Sequence, residues 1–150
     1  NYYFDKSGNN RSSDKNQFVS ALNRIHIDQA NSFIPDINTK FFINDQEYLC
    51  LFEQHNGKDT KRLFEQLYVH IVAISKGVVS QKYNFKKPHR VVVVCEEQSV
   101  KKSVIQRLRK ESGIEHYNNL FLFKTNEELE EDFFKNWTLI SGKQTTFIPE

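Results

Sequence analysis

Residues 33–55 read FIPDINTKFFINDQEYLCLFEQH, and residues 56–76 continue NGKDTKRLFEQLYVHIVAISK. Pro35-Asp36 leads into two strand-like runs, Thr39–Ile43 and Glu47–Phe52, joined through Asn44-Asp45. That pair fits a two-residue hairpin loop, although its second position lacks the favoured glycine. Glu53 ends the second run, 17 positions after Asp36. A hairpin of this length brings both carboxylates to one edge of a sheet. Two acids held together are costly unless a cation or a proton neutralises them. The stretch is therefore a candidate Mg²⁺ site of the kind that activates water for phosphodiester cleavage. Spacing alone leaves open a plainer reading, in which Pro35-Asp36 is a turn and Glu53 a solvated strand end.

Working outward, Asn56-Gly57 is a turn signal. Asp59 or Thr60 caps a helix that Gly77 stops after Lys76. Leu63, Phe64, Leu67, Tyr68, Ile71, Val72 and Ile74 give that helix a broad apolar face. His70 falls one position off this stripe and reads as a spacer, while His26, His89 and His116 read as surface residues near element ends. Upstream, Ser13 caps a helix predicted over Asp14–Ile25, preceded by a flexible arm over residues 1–12. Downstream, Val91–Cys95 is apolar without alternation, as expected of a central strand covered on both faces. A helix over Ser99–Ser112 stops at Gly113, and Leu120–Phe123 is a short strand. Thr125 caps a helix predicted over Asn126–Trp137, whose Phe133, Phe134 and Trp137 anchor it to the core. The tail from Thr138 adds an edge strand. The order describes an α/β domain over residues 13–150, a mixed central sheet flanked by helices.

The chain has 150 residues, 38% of them hydrophobic, enough for one domain with a real core. It contains no apolar run long enough for a membrane span and no signal-peptide pattern, so no membrane partner is expected. Cys50 and Cys95 lie in apolar runs away from any zinc spacing, which suggests buried thiols and a cytoplasmic setting. Cys50 and His55, five apart on one strand, face opposite ways and form no nucleophile pair. Five scattered glycines make no phosphate loop. The chain lacks methionine and starts at Asn1, so a fragment of a larger protein is expected.

Net charge is only +2, but residues 58–110 carry 13 Lys or Arg against 4 Asp or Glu, and residues 111–150 carry 3 against 8. One positive face suits a polyanion such as DNA. Its expected phosphate contacts are Lys58, Lys61, Arg62, Lys101, Lys102, Arg107, Arg109 and Lys110. An ordinary lysine-rich surface is the alternative.

A helix, a Pro-Asp step, strands ending in a carboxylate, a helix and a buried valine strand together resemble the αβββαβ core of the PD-(D/E)xK nuclease superfamily. The text Ile34-Pro35-Asp36-Ile37, Leu51–Asn56, Leu63–His70, Arg90–Cys95, Leu120–Lys124 and Trp137 is similar to the plasmid replication-relaxation family. That family's proteins are linked to plasmid replication and mobilisation. The resemblance covers residues 14–142 and implies a restriction-endonuclease-like fold, with DNA and other replication or transfer proteins as partners. It implies Asp36 and Glu53 as metal ligands for Mg²⁺. Typical active members place a lysine at the third motif position, near the attacking water; His55 stands there, and Gln66 stands where other members supply the lysine from the helix. Lys58 or Lys61 would have to reach in to assist. Two acids without the lysine favour a DNA-binding domain over an active endonuclease or nickase. A protein-interaction scaffold is the third reading.

Overall fold

The structure, a computed structural model, describes residues 24–148. The arm over residues 1–12 and nearly all of the helix predicted over Asp14–Ile25 lie outside them. Ile25, the last residue of that predicted helix, is instead in a strand. Two short antiparallel strands, β1 (Ile25–His26) and β2 (Ser32–Phe33), form a small ribbon. The main sheet then follows, with β3 (Ile37–Ile43), β4 (Gln46–His55), β5 (Arg90–Cys95), β6 (Phe121–Thr125), β7 (Trp137–Thr138) and β8 (Gln144–Thr145) as neighbours in that order. β4, β5 and β6 run parallel, and the pairs at both ends of the sheet are antiparallel.

The β3–β4 hairpin turns through Asn44 and Asp45, at φ 52° and 63°. A two-residue loop that matches strand twist needs positive φ at both positions, and short polar side chains tolerate it. Parallel strands require crossovers, and helices supply them. α1 (Thr60–Lys76) links β4 to β5 and is followed by the short α2 (Val78–Lys82). α1 starts where Asp59 accepts a bond from the Arg62 amide at 3.0 Å. It ends at Gly77, whose left-handed φ of 68° needs no Cβ. α3 (Gln98–Arg109) links β5 to β6, with a 3₁₀ helix over Ile114–Leu120 that the sequence pattern did not suggest.

β5 sits mid-sheet and is covered on both faces, the second of them with Leu129 of a short helix among its contacts. Val91, Val93 and Cys95 pack under α1 and α3, in one cluster with Leu63, Leu67, Val104 and Leu108. Val92 and Val94 meet Leu122, Trp137, Leu139 and Phe147 instead. The C-terminal segment, rather than a long helix, covers this second face. α4 spans only Asn126–Glu131, so the helix predicted to reach Trp137 stops early. The Asp132 carboxylate takes the amides of Phe134 and Lys135 at 2.7 and 3.1 Å, turning the chain out of the helix. Lys124, buried against the Trp137 ring, donates to the carbonyls of Glu128 and Asp132 near the helix end. Trp137 is fully buried in β7, its indole N–H held by the Phe133 carbonyl at 2.6 Å, so it is a core anchor and no stacking platform.

Leu67 of α1 has no solvent exposure. Leu67→Ala is expected to cost about 2–5 kcal/mol in denaturant melts, the range for a buried leucine truncated in a packed core. A loss below about 0.5 kcal/mol would mean that α1 does not pack on β5.

Candidate functional site

The β3–β4 register pairs Ile37 with Phe52, which puts Asp36 level with Glu53. Alternation sends Glu53 and His55 to the face under α1, together with Leu49 and Leu51. Asp36 lies just before β3, where its exposed carboxylate accepts the Gln54 amide at 2.8 Å and closes the end of the ladder. The two acids singled out in the sequence are thus brought together.

Their environments differ sharply. Glu53 is 7% exposed, and its Oε2 lies 2.6 Å from His70 Nε2. His70, fully buried on α1, places Nδ1 3.3 Å from Nε2 of His89, which is 1% exposed just before β5. Phe33 packs edge-on against His70 at 4.9 Å. A cavity of about 90 Å³ lined by Phe33, Ile34, Gln66 and Val69 reaches Glu53. The result is a polar chain, Asp36 beside Glu53, then His70, then His89, crossing an apolar interior.

Burial first, and the Asp36 charge second, push the Glu53 carboxyl up to about 8. Burial pulls His70 down to about 3, against the opposing pull of Asp36. His89 is lowered to about 3 by burial and then by His70. These shifts favour the neutral forms of Glu53, His70 and His89. With all three groups neutral, the Glu53 acid donates to His70 Nε2 and His70 donates through Nδ1 to His89 Nε2. A 2.6 Å contact between neutral partners satisfies both without a buried ion pair.

Among the described residues, no group of three or more His, Cys, Asp or Glu side chains is arranged to hold a metal ion. Asp36 accepts the Gln54 amide and Glu53 bonds His70, so each candidate ligand already has a partner in the fold. His55 sits two residues beyond Glu53, 6% exposed, with a buried Nε2 that meets no hydrogen-bond partner among the described residues. Lys58 is exposed in the loop before α1.

The expected phosphate contacts divide. Lys58, Lys61, Arg62, Lys102, Arg107, Arg109 and Lys110 are exposed. Arg107 lies over the Phe64 ring at 4.0 Å, bringing α3 alongside the first half of α1. Arg109 spends its Nε–H on the Ile140 carbonyl at 2.7 Å. Lys101 is 4% exposed and its ammonium is 2.8 Å from Glu128, so it is an internal ion pair and no surface contact. His70 and His89 are the site residues that sequence reasoning missed. His70 had a signal, since positions 63, 67, 70 and 74 form one 3–4 seam with Leu63, Leu67 and Ile74. His89 had none, because its partner is non-local.

No protein-family model matches the chain, and neither a curated protein nor a solved structure matches it significantly. No helix among the described residues is long and apolar enough to cross a membrane.

The polar chain makes stability depend on pH. Between about 4.5 and about 8 the folded protein keeps a Glu53 proton that the unfolded chain has lost, so stability falls as pH rises. Between about 3 and 6.5 the unfolded chain carries protons that folded His70 and His89 exclude, so stability rises with pH. Two histidines outweigh one carboxyl below 6.5, and only the carboxyl acts above it. The Tm contribution of this chain is expected to peak near pH 6.5. Glu53→Gln keeps a donor to His70 and removes the titration, so its Tm should lose the decline between pH 6.5 and 8. A variant that declines as steeply as the wild type would show that Glu53 is ionised in the fold.

Proposed function

We propose that this chain is a nuclease-like DNA-binding domain, related to plasmid replication-relaxation proteins, that holds DNA without cutting it. The observation that carries the reading is the Glu53–His70 bond. It accompanies two acids that the hairpin brings level, yet commits one of them to a buried histidine. The antiparallel β3–β4 hairpin, the α1 crossover and the parallel β5 support a restriction-endonuclease-like core. Among the described residues no lysine, the group that would orient an attacking water, pairs with Asp36 or Glu53. The exposed cations Lys58, Lys61 and Arg62, with Arg107 beside them, supply phosphate contacts that give affinity rather than sequence preference.

The level placement of Asp36 and Glu53 favours an active endonuclease as the second reading, with His55 or Lys58 assisting. The two separate in one set of assays. The wild-type chain is expected to bind DNA weakly, with affinity falling steeply as salt rises, and to leave supercoiled plasmid intact in Mg²⁺ at pH 7. Reversing Lys58, Lys61 and Arg62 together should flatten the log–log salt slope by up to about three units, since each lost contact removes roughly 0.9. Asp36→Ala should leave binding unchanged or slightly tighter, because it removes a negative charge facing a polyanion. Mg²⁺-dependent nicking that disappears in Asp36→Ala would establish the endonuclease instead. No binding to any DNA at low salt would remove both and leave a protein-interaction scaffold.

A further inference from the structure

A groove of about 320 Å³ runs along α3 at the edge of its buried stripe, floored by Lys101, Ile105 and Glu128. Gln98, Lys102, Gln106 and Arg109 recur at three- and four-residue spacing and form one wall. Thr138, Gly142 and Gln144 of the C-terminal hairpin form the other.

The groove is built rather than incidental. Arg109 is fixed by its bond to the Ile140 carbonyl, and the chain passes it at Gly142. A Cβ at position 142 would lie 2.1 Å from Arg109 Nη2, and the φ of +92° there also favours glycine. That leaves the four Nη hydrogens of Arg109 without an acceptor among the described residues. Lys101 is held by Glu128, which also accepts the Thr125 amide at 2.8 Å, so this pair neutralises itself. Lys102 has no ion-pair partner among the described residues. Two uncompensated cations therefore stand at the groove, seven residues apart on α3, which is about 10 Å along the helix axis. The glutamine amides between them offer both donors and acceptors.

Two cations spaced along one wall, with glutamine amides between them, offer separate contacts to successive phosphates of a phosphodiester. The volume is that of a small-ligand cleft, too narrow for a duplex, which could touch only the rim. We propose that this groove binds one strand of DNA, with phosphates at Lys102 and Arg109 and the intervening nucleotide against Gln106. The inference rests on the DNA-binding reading and names the form of DNA.

The test is fluorescence anisotropy of the full chain with a labelled oligothymidylate and with a duplex of equal length. The single strand is expected to bind about 10-fold tighter or more. Lys102→Glu with Gln106→Glu, both exposed positions, should weaken it by about 10-fold or more and flatten its salt slope by about 0.7 for the lost Lys102 contact. Duplex binding should change less than about 2-fold. Gln98→Glu, at the other end of the face, serves as a second variant and should weaken the single strand to a smaller degree. Duplex binding equal to or tighter than single-strand binding, or groove variants without effect, would overturn this inference while leaving a DNA-binding domain. Loss of all binding to both forms in the wild type would remove the underlying reading as well.

Discussion

Burial of β5 on both faces is the constraint on which the rest depends. Five consecutive residues, Val91–Cys95, have at most 5% exposure, and a strand without a solvent face must have a layer on each side. The parallel pairings with β4 and β6 make α1 and α3 necessary as crossovers, and those helices form the first layer. The second comes from the chain's end, where Trp137, Leu139 and Phe147 close over Val92 and Val94. At about 25 cal/mol per Å², a buried valine contributes roughly 1.5–3 kcal/mol, so an uncovered face would forfeit several such terms.

The polar chain is an exception inside this apolar frame. An unpaired buried carboxylate costs several kcal/mol, and an ion pair between Glu53 and His70 would still carry two desolvated charges beside Asp36. Protonating the acid and leaving both imidazoles neutral removes that cost and keeps every contact hydrogen-bonded. The bond to His70 that lets Glu53 lie under α1 also occupies an oxygen that a metal ligand would offer.

What was legible in the sequence was local. Asp59 and Gly77 bound α1 because caps act within a turn of the residues they satisfy. Asn44-Asp45 made the hairpin for the same reason, and the unbroken valines announced a covered strand. The pairing of Asp36 with Glu53 followed from hairpin length alone. What was not legible depended on contacts distant in sequence. The end of α4 turns on Lys124 and Asp132 capturing backbone groups, and α4's predicted aromatic end belongs to the sheet's second face. His89 meets His70 across 19 residues. Lys101 was misread as a surface cation because its charge was weighed before its position, four from Ile105 and seven from Leu108 on the buried stripe.

That misreading bears on how the basic middle of the chain works. A count of lysines and arginines over residues 58–110 treats every cation as equal, but the fold consumes them unevenly. Lys101 is spent on Glu128, Arg109 spends one donor on Ile140, and Arg107 lies on Phe64. Each of these fixes a position while reducing what is left for a partner. Among the described residues, Lys61 and Arg62 on α1, Lys102 on α3 and Lys58 in the loop before α1 have no ion-pair partner. An array borne largely on helices gives modest affinity with a defined backbone geometry, because each free lysine or arginine still loses rotamer entropy on contact. On the DNA-binding reading, specificity for the form of the nucleic acid then comes from where the fold leaves charge unpaired, and total charge contributes mainly to the rate of encounter.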